Sequence, residues 1–334
     1  MISAALSLTG GALCPRPSVF FRPLLPSPPL PPRAAEHAIR YLEQCGHTVK
    51  KGRLFGRRDF YRSGSIRERA EEFNELLYDP EVTCLMGAVG GMVSNALLPY
   101  LDYDFLKAHP KKIIGHSDVT AILLGVYQKT GLTVFYGPNL VTSFGQQPPF
   151  LEYSLQSMER TFAGECPFSV PMPPFYSDEL TDWRAAPAPK QPLPNKWTTV
   201  QSGSATGRLI GGNLNTINGM MASPYMPQFR EGDILFLEDT EKFAAHAERY
   251  YAMLKICGVF DKVSGILLGK HRQFDGQGTG RTPADILLEV LDGQKIPILA
   301  DIDCCHTLPM MTLPIGGTVH FDADRQTIQV LQVS

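Results

Sequence analysis

The sequence of 334 residues lacks several features that would assign it to a class at once. No apolar run approaches the roughly 20 residues that a membrane-spanning helix requires. The net charge of -2 offers no electrostatic attraction to nucleic acid or to an anionic membrane surface. We therefore expect neither a nucleic-acid polymer nor a membrane among the partners of this protein.

Paired cysteines with metal-binding spacing are also missing. The seven cysteines are scattered and odd in number, and the adjacent Cys304 and Cys305 cannot easily form a disulfide with each other. Residues 1–14 are apolar but lack the basic start of a secretory signal, and Leu13 does not suit a lipoprotein cleavage site. We expect a cytoplasmic protein with reduced thiols, no metal ion and no cofactor.

Proline divides the chain. Residues 15–33 are crowded with proline, which excludes a helix interior or a central strand there, so residues 1–33 are predicted to form an atypical N-terminal segment. Strands alternate with helices across 34–165, a pattern typical of a doubly wound parallel sheet. A second proline-rich stretch, 166–203, holds both tryptophans and is predicted to be a linker or substrate loop. Short strands, glycine-rich turns and two helices predict a smaller, β-rich α+β domain over 204–334.

Several elements have clear boundaries in the sequence. Ser65 and Glu68 predict a capping box at the start of a helix that runs to Tyr78. Lys129 and Gly131 suit the end of another helix. The predicted strands are 82–88, 113–114, 132–136, 207–210, 234–237, 266–268, 298–299 and 318–321.

The segment Gly115-His116-Ser117-Asp118 points most directly to chemistry. An apolar strand precedes it and a helix follows it, so Ser117 stands on a strand-to-helix turn. α/β enzymes place nucleophiles at such turns, where amides of the helix N-terminus favour developing negative charge. Serine is also a common helix N-cap. The segment alone leaves both interpretations open.

A serine nucleophile requires a base and an acid that orients the base. His306 follows a predicted strand and is the first candidate for the base, with His271 second. His116 is a poor base because adjacent residues on such a turn point apart. For the acid, Glu238 and Asp239 end a strand and face opposite sides of it, so spacing cannot choose between them.

Donors for an oxyanion are the last requirement. The pair Gly90-Gly91 follows a strand and offers backbone amides without side-chain obstruction, and the amide of Asp118 is a second candidate. A tight turn would use the same glycines. The pair lacks the lysine of a P-loop and the third glycine of a dinucleotide fingerprint, so neither of those sites is predicted.

A series of short motifs gives these candidates a common context. In chain order they are Gly90-Gly91-Met92-Val93-Ser94-Asn95, Leu98-Pro99-Tyr100-Leu101-Asp102, Gly115-His116-Ser117-Asp118-Val119-Thr120, Phe135-Tyr136-Gly137-Pro138, Gly211-Gly212-Asn213-Leu214, Leu235-Phe236-Leu237-Glu238-Asp239, Gly269-Lys270-His271 and Cys305-His306-Thr307-Leu308-Pro309-Met310. Together they resemble the LD-carboxypeptidase family of serine peptidases, with a closer likeness to its microcin C immunity branch. The resemblance covers roughly residues 35–334.

This resemblance implies a fold and a catalytic triad. The family has a Rossmann-like N-terminal domain and a smaller β-rich C-terminal domain, with the active site in the cleft between them, and it suggests a homodimer. Its Ser-Glu-His order falls on Ser117, Glu238 and His306. The amides of Gly91 and Asp118 would then bind the oxyanion.

The resemblance also implies two substrate classes. Classical members remove a terminal D-alanine from murein tetrapeptides, whereas the immunity branch cleaves an amide in a peptidyl- or aminoacyl-nucleotide. In that branch a loop tryptophan stacks on the adenine, and Trp183 is the candidate counterpart, although it can equally pack a loop against the body. Asn213 and Lys270, which lie in two of the motifs, are the other substrate-binding candidates.

Two departures from the family pattern leave alternatives open. The usual first strand is replaced by the proline-rich residues 15–33, so that strand is replaced, displaced or lost. The usual Gly-Tyr-Ser-Asp is Gly-His-Ser-Asp here. We favour a peptidyl- or aminoacyl-nucleotide amidase, with a murein carboxypeptidase second. A catalytically silent binding protein of the same fold is the alternative from another class.

Overall fold

Two sheets organise the computed structural model, which describes residues 19–24, 29–183 and 185–333. Its strands are β1 Phe20–Leu24, β2 Thr48–Val49, β3 Cys84–Gly87, β4 Lys112–Gly115, β5 Val134–Tyr136, β6 Phe168–Val170, β7 Phe175–Tyr176, β8 Leu193–Pro194, β9 Thr198–Gln201, β10 Ser204–Asn213, β11 Asp233–Glu238, β12 Val263–Gly269, β13 Ile298–Ile302, β14 Leu313–Ile315, β15 Thr318–Asp322 and β16 Thr327–Gln332.

The helices cover the faces of these sheets. They are α1 Pro32–Gln44, α2 Ile66–Tyr78, α3 Tyr103–Ala108, α4 Thr120–Thr130, α5 Leu151–Ala163, α6 Leu214–Asn218, α7 Ala244–Ile256 and α8 Pro283–Leu291. Short 3₁₀ turns lie at Ser94–Tyr100 and Ser117–Val119, and a π-helical turn lies at Leu140–Phe144.

The first sheet has the strand order β14-β5-β4-β3-β1-β2. Neighbouring strands from β2 to β5 pair in parallel, with helices in the connections, as expected for a Rossmann-like sheet. Strand β14 pairs antiparallel with β5 and comes from the far end of the chain. The second half of the chain therefore completes the sheet of the first half.

The second sheet has the order β6-β16-β15-β10-β11-β12-β13-β9. Its centre, β10 to β13, is parallel, and antiparallel strands flank it on both sides. The α/β fold with a parallel sheet and a separate β-rich second part is confirmed. The segment predicted as a linker, 166–203, supplies two edge strands to this sheet, and with eight strands the sheet is larger than the first.

The proline-rich N-terminal segment contains a central strand, so the prediction that excluded one there is wrong. Strand β1 lies between β2 and β3 and pairs with both. The only proline inside β1 is Pro23. Alternate residues of a strand face the same neighbour, so Pro23 faces the same side as Phe21, whose carbonyl accepts the amide of Lys50. The missing N–H thus points past the end of the two-residue β2. Residues 1–18 and 25–28 of the segment lie outside the described residues.

The structure confirms the helix boundaries that the sequence predicted from local motifs. Ser65 accepts the amide of Glu68, and the Glu68 carboxylate accepts the amide of Ser65, so the predicted capping box is present at α2. Helix α4 ends at Gly131 in the left-handed conformation. Both helices bury an apolar face against the first sheet.

The two sheets share one apolar core. A single cluster of buried side chains runs from Leu85 and Ile113 of the first sheet to Leu209 and Phe236 of the second. The start of α4 meets the second sheet at Gly212, where an added Cβ would lie 2.6 Å from the Thr120 side chain and φ is +148°. Only glycine fits this contact, which brings the carboxyl ends of β10 and β11 up to the start of α4.

Candidate active site

Ser117 stands on a strained turn between β4 and α4. Its φ is +63°, a left-handed conformation that non-glycine residues rarely adopt and that nucleophile elbows require. The N-cap of α4 is Val119, so Ser117 does not cap this helix. The strain is therefore not explained by capping, and it presents the side chain at the carboxyl end of the first sheet.

The glycine loop after β3 packs directly on Ser117. A Cβ added to Gly90 would lie 2.7 Å from Ser117 Oγ, so only a glycine backbone can pass this close. The carboxylate of Asp118 fixes the loop, because Oδ2 accepts the amides of Val93 and Ser94 at 2.9 Å and the Ser94 hydroxyl at 2.6 Å. Backbone amides of Gly91 and Asp118, the predicted oxyanion donors, thus belong to two segments that are held together beside the serine.

The second sheet supplies an acid–imidazole pair. His306 Nδ1 donates to Glu238 Oε2 at 2.6 Å, at the end of β11. The other oxygen, Oε1, accepts the Tyr136 hydroxyl at 2.6 Å and the Asn213 amide at 3.0 Å. All partners of this carboxylate are buried or nearly so. Within the described residues no hydrogen bond joins Ser117 Oγ to His306.

These contacts keep Glu238 ionised. Burial alone would raise its pKa, but the positive charge of His306 and the hydrogen bonds from His306, Tyr136 and Asn213 outweigh burial and hold the pKa at about 2. A permanent carboxylate can stabilise an imidazolium on His306. The structure therefore shows a base candidate that is oriented by an acid.

Asp239, the other acid that the sequence left open, faces away from His306. Its oxygens accept the amides of Asn215 and Thr240, and burial raises its pKa. Asp239 therefore stabilises the backbone at the start of α6 and in the loop after β11 by accepting these two hydrogen bonds. Alternation along β11 separates the two neighbours as the strand geometry requires.

Tyr136 joins the two halves of the site, and the sequence interpretation missed it as a functional residue. Its hydroxyl donates to Glu238 and accepts the amide of Ser117 at 3.1 Å. One buried oxygen thus bridges the turn that carries Ser117 and the carboxylate of Glu238. The motif Phe135-Tyr136-Gly137-Pro138 was the available signal, but nothing in the sequence indicated the partners of the hydroxyl.

His116 is buried against His306 and stays neutral. Its Nδ1 lies 3.1 Å from the carbonyl of Gly137, which can only accept, so Nδ1 carries the proton and Nε2 accepts from Thr142. Burial, and then the charge of His306, lower the pKa of His116 to about 3. A histidine this weakly basic cannot act as the general base near neutral pH.

The remaining predicted substrate residues lie in different surroundings. Asn213 is 4% exposed and its amide nitrogen also donates to Asp239, so it contacts the acids. Lys270 forms an ion pair of 2.6 Å with the buried Asp303 and lines a cavity of about 490 Å³ beside Tyr176. The structure therefore does not bring Lys270 into the space next to His306.

Trp183 does lie next to His306. Both line a small cavity of about 30 Å³, together with His116, and Trp183 also packs on Leu30 and its apolar neighbours. Two cationic residues that the sequence interpretation missed, Lys190 and Arg272, line the same cavity. Arg272 directly follows the motif Gly269-Lys270-His271, whereas nothing in the proline-rich stretch singled out Lys190.

The described residues contain no cluster of three or more His, Cys, Asp or Glu side chains that could hold a metal ion. No helix within that part of the chain has both the length and the apolar character needed to cross a bilayer.

Comparison with known families matches both halves of this architecture. Residues 24–137 match the model of the LD-carboxypeptidase N-terminal domain, and residues 206–321 match that of the LD-carboxypeptidase C-terminal domain. The chain belongs to the LD-carboxypeptidase family. It is accordingly a hydrolase of the serine peptidase type.

Relatives of two kinds are found. The microcin C7 self-immunity protein MccF of Escherichia coli is 47% identical over 88% of this chain and 87% of its own. A murein tetrapeptide carboxypeptidase of Pseudomonas aeruginosa is 26% identical over 87% and 89% of the two chains. Solved complexes of MccF with aspartyl sulfamoyl adenosine and with glutamyl sulfamoyl guanosine superpose with a TM-score of 0.91 and 44% identity, covering 94% of this chain and 96% of theirs.

Proposed function

We propose that this protein is a serine amidase with Ser117 as nucleophile, His306 as general base and Glu238 as the orienting acid. The observation that carries the proposal is the strained φ of Ser117 at a strand-to-helix turn. The Tyr136 hydroxyl ties that turn to the carboxylate of the acid–imidazole pair.

The chemistry follows from the hydrogen bonds. Because Nδ1 of His306 donates to Glu238, Nε2 is the nitrogen that takes the proton from Ser117 Oγ as the oxygen attacks the amide carbon. The C–N bond then breaks, and the same proton moves from Nε2 to the leaving nitrogen. Water, activated by the imidazole, releases the acyl group from Ser117. The amides of Gly91 and Asp118 would stabilise the oxyanion in both steps.

We further propose that the substrate is an aminoacyl- or peptidyl-nucleotide. Trp183 lines the cavity beside His306, and base–aromatic stacking contributes about 1–3 kcal/mol per base. MccF, at 47% identity, supports the same substrate class through its solved complexes with aminoacyl sulfamoyl nucleosides. We also propose Asn213 and Lys270 as substrate-binding residues. Both side chains are paired within the protein, so each would have to leave its present partner to contact the substrate.

Removal of the terminal D-alanine from murein tetrapeptides is the second candidate. The observation that favours it is the resemblance to a murein tetrapeptide carboxypeptidase over 87% of the chain. It would use the same nucleophile, base and acid. The two candidates differ in the group that occupies the space beside Trp183.

The deciding experiment compares two substrates. Wild-type protein and the Ser117→Ala variant are incubated with glutamyl sulfamoyl adenosine and with a murein tetrapeptide, and the release of sulfamoyl adenosine and of D-alanine is quantified. We expect release of sulfamoyl adenosine by the wild type only. Release of D-alanine alone would replace the first candidate by the second. Equal turnover of both proteins on both substrates would exclude a Ser117 nucleophile.

Other sequence expectations remain proposals. We propose a cytoplasmic homodimer and domain boundaries near residues 165 and 204. Sedimentation equilibrium measures the mass directly, and a mass of about 37 kDa, that of one chain, would contradict the dimer.

A further inference from the structure

The cavity beside His306 has an uneven charge. Lys190 and Arg272 both line it, and no carboxylate among the described residues does. Its other ionisable neighbours are His116, His306 and Cys305. Two cations without an anion in the wall are unusual for a confined space, because like charges in low dielectric repel one another.

The two cations converge on one atom. Lys190 Nζ and Arg272 Nη2 both donate to the carbonyl oxygen of Glu179, the arginine at 3.2 Å. A neutral carbonyl compensates neither charge. Burial and then the charge of Arg272 lower the pKa of Lys190 to about 8, against the smaller opposing effect of Glu179 and Asp178.

Nearby carboxylates act on both cations from a distance, and none forms an ion pair with either of them. The Glu179 carboxylate accepts the amide of Gln191, and Oδ2 of Asp178 accepts from Gln273, while Oδ1 of Asp178 is buried without a hydrogen-bond partner. Among the ion pairs of the described residues, with nitrogen–oxygen distances up to 4.0 Å, none involves Lys190 or Arg272. In addition, Nε of Arg272 is buried and has no hydrogen-bond partner, which leaves a charged donor unsatisfied beside the proposed base.

We propose that Lys190 and Arg272 form an anion subsite that binds a negatively charged group of the substrate close to the scissile amide. The shared chemistry is a compact oxyanion group, supplied either by the phosphoryl or sulfamoyl linker of a nucleotide or by the terminal carboxylate of a peptide. Guanidinium and ammonium groups are suited to both. The inference rests on the proposed function, because it assigns these side chains to the substrate of Ser117.

The subsite must open to be filled. A cavity of about 30 Å³ holds little more than one water molecule. Lys190 and Trp183 lie in the loop between β7 and β8, so outward movement of these two side chains would admit the anion. The group would then replace the Glu179 carbonyl as the shared acceptor and supply a partner for Arg272 Nε.

Binding to the Ser117→Ala protein tests the subsite without turnover. Isothermal titration compares adenosine 5′-monophosphate with adenosine, and a murein tetrapeptide with its C-terminal amide. Within each pair the ligands differ only in the anionic group. We expect the charged member of one pair to bind about 10- to 100-fold more tightly, the range of a charge-assisted hydrogen bond. The pair that shows the preference identifies the source of the anion.

Variants on the same background locate the effect. Arg272→Gln and Lys190→Gln should each remove most of the preference and leave the affinity for the uncharged ligand unchanged. Arg325→Gln, at a side chain that is 83% exposed on the turn between β15 and β16, is the control for general charge and should keep the preference. If Arg272→Gln does not fold, the Lys190→Gln variant still shows whether the preference for the charged ligand depends on this subsite.

Two outcomes would overturn the subsite: no preference for charge in either pair, or a preference that survives both variants. Failure of the proposed function is a separate result. It would appear as the absence of hydrolysis by the wild type, whereas the binding measurements use a protein that lacks the nucleophile.

Discussion

At the scale of single residues, the hydroxyl of Tyr136 has the most demanding position. It is buried, it donates to Glu238 and it accepts from the amide of Ser117. Removing it in Tyr136→Phe leaves the partly buried amide of Ser117 without an acceptor and the buried Glu238 carboxylate without one of its donors. We expect a cost of about 1–3 kcal/mol in the free energy of unfolding. We also expect kcat to fall roughly tenfold, with KM unchanged, because the Ser117 turn and the acid lose their common anchor.

Tyr103→Phe is the matched control. The Tyr103 hydroxyl donates to the carbonyl of Leu98, away from the site, so this variant should lose a similar amount of stability and keep its kcat. Urea unfolding and steady-state kinetics on both variants provide the comparison. An unchanged kcat in Tyr136→Phe would show that the bridge is structural only.

His116 makes a pH-dependent contribution to stability. Its pKa is lowered to about 3 in the folded protein, while the unfolded chain binds a proton near the ordinary value of about 6.5. Lowering the pH from about 7 to about 5 therefore favours the unfolded state by about 2 kcal/mol through this residue alone. Below a pH of about 3 the folded state is protonated as well and the loss stops growing.

The His116→Phe variant isolates this contribution. Phenylalanine fills a similar volume but does not titrate, so the free energy of unfolding should fall less steeply between these two pH values, by about 2 kcal/mol. The variant loses the hydrogen bonds to Gly137 and Thr142 at every pH. The comparison therefore uses only the slope of the free energy of unfolding against pH, and not its absolute value. Parallel slopes would mean that His116 takes up its proton in the folded state.

At the scale of elements, β10 positions the second sheet against α4, the helix that follows Ser117. The decisive contact is Gly212, whose added Cβ would meet Thr120 at 2.6 Å. We expect Gly212→Ala to destabilise the protein by more than about 2 kcal/mol and to reduce kcat, because β10 and the following strand must retreat from α4.

Gly232→Ala is the control that separates backbone strain at a positive φ from the steric clash of an added Cβ. Gly232 also has a positive φ, +83°, but an added Cβ would meet nothing within 4 Å. This variant should cost only the backbone strain, about 1–2 kcal/mol, with unchanged kcat. Equal effects of the two substitutions on both quantities, measured by urea unfolding and kinetics, would contradict a specific role for the close approach.

The sequence predicted elements where a local interaction defines them. The capping box at Ser65 and the glycine after α4 depend on residues three or four positions apart, and both were predicted correctly. Strand β1 was missed because proline frequency was applied to the whole segment. Strand β1 tolerates Pro23 because its missing N–H points past the end of β2, where no hydrogen-bond partner is lost. Strand β14 could not be predicted, because its partner β5 lies far away in the chain.

The active site shows the same difference between local patterns, which the sequence reveals, and long-range contacts, which it does not. Ser117, Glu238 and His306 follow strands in motifs that resemble a family, so they could be proposed together. The contacts of Tyr136 depend on how the two sheets meet, and those of Asn213 and Lys270 join residues far apart in the chain, which no local pattern describes. Its place in a family motif suggested a ligand role for Lys270, yet the structure pairs it with Asp303.

At the scale of the whole molecule, the two sheets share one core, and we expect them to fold as one unit. They share a continuous apolar cluster, and β14 completes the first sheet with residues from the end of the chain. A site whose serine and whose acid–imidazole pair come from different sheets requires this union, because a small rotation between them would separate the two. Cooperative folding of both halves is thus a condition for the proposed activity.

Equilibrium unfolding tests this union. In a Trp183→Phe variant the remaining Trp197, buried beside the second sheet and bonded to Asp303, reports on that sheet, while far-ultraviolet circular dichroism reports on both. We expect the two signals to follow one transition in urea. Adding Leu313→Ala in the fully buried β14 should cost about 2–5 kcal/mol and shift both signals equally, although Leu313 pairs with the first sheet. A fluorescence midpoint that stays in place while the dichroism shifts would show that the sheets unfold separately, and the site would then depend on docking rather than on folding.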